Sequence, residues 1–171
     1  ISAIHAGTKY LIESGAKNLA YIGTDTKVMN AWGERYLGFE KALKEAGLTE
    51  DKDLVFFDTL KVKSGAKAVK QFIESGKKFD GIVCASDEIA MGAINELRDN
   101  GLRVPEDVSV IGFNNNNAGA IFYPKISTVA QPSYDMGSVA MRMLIKILNK
   151  KPLDQDQYVL DYELIKRDST N

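Results

Sequence analysis

Residues 81–93 pass from a short apolar run into a helical pattern, and this stretch restricts the fold more than any other. The apolar residues from Gly81 to Ala85 are too few for a buried helix. They are typical of a strand that is covered on both faces. From Ile89 to Leu97 the apolar residues recur at helical spacing. This order of strand, turn and helix is the repeating unit of α/β proteins.

The same order recurs along most of the chain. Short apolar runs predict strands, amphipathic stretches predict helices, and a glycine follows four of the helices as a stop signal. The predicted strands span residues 18–23, 53–58, 81–85, 108–113, 126–132 and 158–165, and the predicted helices span residues 3–14, 32–46, 62–75, 87–100 and 132–149. Because such units cross over right-handedly, we expect an α/β fold with a doubly wound parallel sheet.

Each predicted helix carries an apolar stripe, which indicates the face that it buries. The helix at residues 32–46 is predicted to bury Tyr36, Phe39, Leu43 and Ala46. The stripe of the helix at residues 132–149 has seven members, and either an ordinary core or a special docking face would explain it. Its members are Met136, Val139, Ala140, Met143, Leu144, Ile147 and Leu148.

Composition excludes several classes of function. The 171 residues carry a net charge of −1, which argues against a nucleic-acid-binding surface within them. The single cysteine, Cys84, allows no internal disulfide and favours the cytoplasm. No apolar run reaches membrane-spanning length, and no signal peptide is expected. The sequence therefore predicts no membrane partner.

Polar residues follow the predicted strands at their carboxyl ends, where α/β sheets bind ligands. Ser86 and Asp87 are either a helix cap or ligand-binding groups. Arg35 could hold a polyhydroxyl ligand or an anion with a fork of hydrogen bonds, or it could be solvated. The four asparagines at residues 114–117 form a turn or read the hydroxyl groups of a sugar or nucleoside.

Four segments of the chain are similar to one known family. They are residues 35–39 (RYLGF), 85–92 (ASDEIAMG), 104–114 (VPEDVSVIGFN) and 126–132 (ISTVAQP). In these segments and in their order, the chain resembles the lac repressor/galactose repressor family of bacterial transcription regulators.

This resemblance implies the effector-binding core of a regulator with a periplasmic-binding-protein-like fold of type I. A small-molecule effector, sugar-like or nucleobase-like, would bind in the cleft between two subdomains of a homodimer and control DNA binding by an N-terminal helix-turn-helix. Residues 1–113 and 157–171 would form the C-terminal subdomain, and residues 126–149 would belong to the N-terminal side. The helix-turn-helix and most of the N-terminal subdomain would precede this chain. A phosphoprotein corepressor is a further possible partner in this family.

The resemblance also assigns site residues. Arg35 matches the family's ligand-binding arginine, Ser86 a polar position often held by Asn, and Asp87 the acid that follows it. Asn114 stands where an Asp is usual, and Leu60 stands where some sugar-responsive members carry an aromatic ring. Both departures weaken the case for a plain sugar.

Two other classes of function remain to be weighed. A solute-binding protein of a sugar transporter would share this fold, although the repressor-like segments count against it. An enzyme would need a nucleophile with its base, a phosphate-binding loop or a metal cluster. The single histidine, His5, is expected to be a surface or packing residue, so the sequence predicts neither an enzyme nor a cofactor.

Overall fold

The computed structural model describes residues 1–24 and 31–171, so most of the loop expected at residues 24–31 lies outside the described residues. The described residues form six α-helices and one six-stranded sheet. The strands are β1 (Leu19–Gly23), β2 (Val55–Phe57), β3 (Gly81–Cys84), β4 (Ser109–Phe113), β5 (Ser127–Ala130) and β6 (Glu163–Ile165). The helices are α1 (Ser2–Glu13), α2 (Ala31–Glu45), α3 (Val62–Glu74), α4 (Asp87–Asp99), α5 (Asn117–Ile121) and α6 (Ser133–Leu148).

The sheet has the strand order β2-β1-β3-β4-β5-β6. Strands β1 to β5 are parallel, and only β6 runs antiparallel to its neighbour β5. The chain moves outward from β1 to β2 and then crosses back to β3, so the strand order reverses between β1 and β3. Ligands of open α/β sheets bind beside such a reversal, at the carboxyl ends of the strands.

Helices cover both faces of the sheet and complete the core. Helix α1 packs against α2, and α3 packs against α4. Strands β1, β3 and β4 are buried along their whole lengths. The largest fully buried side chains come from these strands and from the helices that cover them. The predicted α/β class and the doubly wound parallel sheet are therefore confirmed.

Local predictions fail in three places. Ala46 is exposed because α2 already ends at Glu45. Ala42 is buried in the core instead. The piece between β4 and β5 contains the short helix α5, which no sequence period announces. The last strand is limited to β6, because residues 158–162 do not pair with β5.

Helix α6 has no buried residue, in contrast to the other long helices. Its apolar stripe is therefore not part of this chain's core. Leu144 and Leu148 are 47% and 72% exposed. A groove of about 490 Å³ lies between the stripe, the first residues of α1 and residues 156–162.

The segment after β6 is tied into the interior of the sheet. Ser169 is fully buried. Its hydroxyl donates to the carbonyl of Val110 (2.6 Å) and accepts from the amide of Ser127 (2.8 Å). Its carbonyl accepts from the amide of Val110 (2.8 Å). The segment thus bonds β4 and β5 near their amino-terminal ends.

Candidate functional site

Arg35 lies in α2, and its side chain extends to the residues that follow β3 and β4. The residue is 7% exposed, and the Cζ atom of its guanidinium lies 4.0 Å from the centre of the Phe113 ring. One nitrogen, Nη1, donates to the carbonyl oxygen of Ala85 at the end of β3, and Nη2 donates to Oδ1 of Asn114 (3.3 Å). Burial lowers the pKa of Arg35 to about 10, so the side chain stays cationic at neutral pH. Arg35 is thus a buried, oriented cation and not a solvated one.

Asn114 begins a turn with left-handed backbone at two successive residues. Asn114 and Asn115 have φ values of 100° and 59°. The amide of Asn114 donates to the carbonyl of Val129 (2.9 Å), which extends the β4–β5 pairing by one bond. The left-handed backbone expected of these asparagines occurs at Asn114 and Asn115, whereas Asn117 already lies in α5; residues 114–116 are called the asparagine turn below. This turn places the amide side chain of Asn114 beside Arg35, so two elements meet at the carboxyl ends of β3 and β4.

Ser86 caps α4. Its side-chain oxygen accepts a hydrogen bond from the amide of Ile89 (3.3 Å), which satisfies one of the free donors at the helix start. The residue is 4% exposed. The structure therefore shows the capping role, and a contact between Ser86 and an effector stays a prediction.

Asp87 is buried and bonds other parts of the protein with both carboxylate oxygens. The hydroxyl of Thr128 donates to Oδ1 (2.6 Å), and the amide of Asn116 donates to Oδ2 (2.5 Å). Burial raises the pKa of Asp87 above its ordinary value, and these two bonds and the charge of Arg167 offset part of the rise. Because its oxygens accept hydrogen bonds from Asn116 and Thr128, the geometry favours a role for Asp87 in positioning the asparagine turn.

Leu60 follows a different strand from the residues of this cluster. It follows β2, and β1 separates β2 from β3 in the sheet. Its half-buried side chain packs against the hydrophobic core. Its contact with an effector stays a prediction.

Sequence reasoning missed the residues that hold the asparagine turn from the C-terminal side. Arg167 donates through Nη2 to Oδ1 of Asn115 (2.6 Å) and through Nη1 to the carbonyl of Ile126 (2.7 Å). Thr128 donates to Asp87, as described, and accepts from the amide of Asn115 (3.3 Å). The only signal for Arg167 was a charged residue after an edge strand, which is typical of solvated surface.

The described residues hold neither a metal-binding cluster nor a membrane-spanning helix. Within residues 1–24 and 31–171, no group of three or more His, Cys, Asp or Glu residues is arranged to hold a metal ion. Over the same residues, none of the helices combines the length and the apolar character needed to cross a bilayer. His5 bonds Glu45 through Nε2 (2.7 Å), which agrees with the packing role expected for it.

Comparison with known proteins gives the family. Residues 8–170 match the family described as periplasmic binding protein-like domain. The chain is 60% identical over 170 residues to the HTH-type transcriptional regulator RegA of Clostridium saccharobutylicum, covering 99% of this chain and 51% of the relative. The chain thus spans about half the length of the curated relatives it matches.

Solved structures agree with this assignment. The transcription regulator CcpA of Lactococcus lactis superimposes with a TM-score of 0.90 at 36% identity, covering 99% of this chain and 62% of that one. A complex of the transcriptional regulator CelR with cellobiose gives a TM-score of 0.91 at 31% identity, covering 99% and 52%. These relatives are transcriptional regulators and not enzymes, in agreement with the prediction from the sequence. The chain belongs to the periplasmic binding protein-like domain family, as the effector-binding domain of a transcriptional regulator of the lac repressor (LacI) family.

Proposed function

We propose that this domain binds a sugar-like or nucleobase-like effector at the carboxyl ends of β3 and β4, and that the bound effector controls operator binding by a helix-turn-helix elsewhere in the regulator. The observation that carries this proposal is the contact between Arg35 and Asn114 (3.3 Å). Two side chains from distant parts of the sequence meet beside the reversal in strand order, the position at which open α/β sheets bind ligands.

The chemistry of this pair suits a neutral polar ligand. Arg35 supplies planar N–H donors, and the amide of Asn114 can both donate and accept. Asn114 offers no charged acceptor for a sugar hydroxyl, and Leu60 offers no aromatic ring for stacking. Cellobiose is nevertheless a suitable first probe, because a structural neighbour forms a complex with it. Sugar phosphates, nucleobases and nucleosides complete the panel.

We further propose that the effector cleft has a second wall. Residues 1–113 and 157–171 would form one subdomain, and residues 126–149, including α6, would face the other. The absence of buried residues in α6 supports this division, since an amphipathic helix of this length requires a covering surface. An effector that bridges two subdomains would stabilise one of their arrangements and so transmit its presence to the DNA.

The remaining partners are proposals of the same kind. We expect a homodimer, and the large exposed side chains of Ile121 and Tyr123 (86% and 78% exposed) are suitable for its interface. DNA binding would place the regulator in the cytoplasm. A phosphoprotein corepressor is the alternative to a small-molecule effector.

The test is a thermal-shift screen of the intact regulator with cellobiose, glucose 6-phosphate, hypoxanthine and inosine. A ligand that binds only the folded state raises the melting temperature. We expect one probe to raise it for the wild type, and Arg35→Ala to abolish the shift while operator binding persists. Arg35→Lys, which keeps the charge but lacks the planar fork, should weaken the affinity at least about tenfold.

Arg103→Ala is the matched control. Arg103 lies before β4, at the opposite end of that strand, and pairs with Asp107 (2.7 Å) at the surface. This variant should respond to the same probe as the wild type. A response that persists in Arg35→Ala would remove Arg35 from the site. No response of the wild type to any probe would contradict a small-molecule effector and favour the protein partner.

A further inference from the structure

We infer that Arg167 is a positioning residue for the effector site and that it acts by holding Asn115, so that Asn114 presents its amide to the effector. The inference rests on the function proposed above. It assigns a role in effector recognition to a residue outside the strand ends, in the segment that follows β6.

The asparagine turn has an unusual backbone that needs support. Asn114 and Asn115 both have positive φ, a conformation that costs free energy for residues other than glycine. The direction of the Asn114 side chain therefore depends on what fixes the turn on either side. The bond from the Asn114 amide to Val129 fixes the side nearer β4.

On the other side, Asp87 accepts from the amide of Asn116 (2.5 Å), and Arg167 bonds the side chain of Asn115. The bond from Arg167 to Oδ1 of Asn115 (2.6 Å) is short and has a cationic donor, and such bonds are about twice as strong as neutral ones. The bond from the Asn115 amide to Thr128 is longer, at 3.3 Å. Arg167 is itself oriented by a second bond, to the carbonyl of Ile126 (2.7 Å).

The same residue also connects the turn to the rest of the segment after β6. The backbone amide of Arg167 donates to the hydroxyl of Ser127 (2.8 Å), and that hydroxyl lies 2.8 Å from the hydroxyl of Thr170. Tyr10 of α1 bonds Thr170 in turn (3.1 Å). The turn is thus held by a bonded series of groups that reaches α1. Functional side chains supported in this way keep the geometry that recognition requires.

Asn115 allows a test that keeps the backbone conformation. Asn115→Gly removes the acceptor for Arg167, while glycine adopts positive φ readily. Asn115→Asp keeps an oxygen acceptor and also tolerates positive φ. In the intact regulator, we would measure the affinity of the probe found in the thermal-shift screen, by titration calorimetry. We expect Asn115→Gly to weaken it about tenfold and Asn115→Asp to leave it within about twofold.

A role in stability alone would give a different result. In that case Asn115→Gly would lower the melting temperature and bind the probe as the wild type does, which would overturn the inference. Equal losses in the Gly and Asp variants would also overturn it. Arg167→Gln provides the second arm: combined with Asn115→Gly, it should weaken binding no further than the greater of the two single losses. Additive losses would show that the two residues act separately.

Failure of this inference can be distinguished from failure of the proposed function. If Arg35→Ala abolishes binding while Asn115→Gly does not change it, the effector site stands and the role of Arg167 falls. If no probe binds the wild type, the small-molecule function is contradicted, and the role of Arg167 in effector recognition with it.

Discussion

Helices α4 and α6 have similar sequence patterns and opposite surroundings. Each is amphipathic, and each has an aspartate in its first turn. Eight residues of α4 are buried, whereas α6 has none. The comparison teaches that a periodic apolar stripe identifies the face of a helix but not what covers that face. Three predictions test whether the two helices contribute as differently to stability as they differ in burial. In each, the free energy of unfolding of residues 1–171 is measured.

The largest difference is expected between the glycines of the two helices. A Cβ atom at Gly92 would lie 1.8 Å from the carbonyl oxygen of Val62, so Gly92→Ala would force α3 and α4 apart. We expect it to lower the free energy of unfolding by more than about 3 kcal/mol. At Gly137 of α6 an added Cβ meets no described atom within 4 Å. Gly137→Ala should raise the free energy by up to about 1 kcal/mol, through helix propensity.

Urea denaturation of the two variants measures both effects. Equal destabilisation by the two alanines would mean that α6 packs as closely as α4.

A smaller difference is expected between two isoleucines. Ile94 of α4 is fully buried, and Ile145 of α6 is 50% exposed. Ile94→Ala leaves a cavity and should cost about 2–4 kcal/mol, while Ile145→Ala should cost less than about 1 kcal/mol. The midpoints of urea denaturation report both, provided that the slope stays constant. A cost above about 2 kcal/mol for Ile145→Ala would show that another surface covers α6 in solution.

The smallest difference concerns the aspartates of the first turns, and it depends on pH. Asp87→Ala leaves the hydroxyl of Thr128 and the amide of Asn116 without their acceptor, at a cost of about 1–3 kcal/mol. Asp135 is exposed, so Asp135→Ala removes only a helix-dipole interaction of about 0.3–1 kcal/mol.

Because burial raises the pKa of Asp87, the folded state holds the proton more tightly than the unfolded state. The advantage of the wild type over Asp87→Ala is then greatest below the ordinary pKa of 3.8 and declines as pH rises through the raised value. Unfolding curves from pH 3 to pH 8 measure this trend. An advantage that grows with pH would mean that the hydrogen bonds outweigh burial and lower the pKa.

The sequence was sufficient for the architecture and for the choice of two residues that the fold places in contact. Local periodicity located β3 and α4, and the resemblance to known regulators selected Arg35 and Asn114, which the fold then brought together. The fold prediction succeeded because it depends on residues close in sequence, whereas effector binding by Arg35 and Asn114 stays a prediction.

The partners of Asp87 could not be predicted in the same way. Thr128 lies 41 residues further along the chain, and its contact exists only because β4 and β5 are neighbours in the sheet. Arg167 lies 52 residues from Asn115 and has the sequence surroundings of an ordinary surface residue. Side chains that position a site are set by tertiary packing, and no short pattern records them.

The burial of Ser169 has a consequence for synthesis. Ser169 bonds Val110 of β4 and Ser127 at the start of β5, although it is made about 40 residues after β5. A nascent chain that has emerged only as far as α6 therefore has an incomplete sheet, with the backbone amide of Val110 unpaired by its native acceptor. Domains fold as units during translation, and unpaired strands of a partial domain invite aggregation. We therefore expect the domain to complete its fold only after Ser169 has left the exit tunnel of the ribosome. A chain that terminates before Ser169 should aggregate.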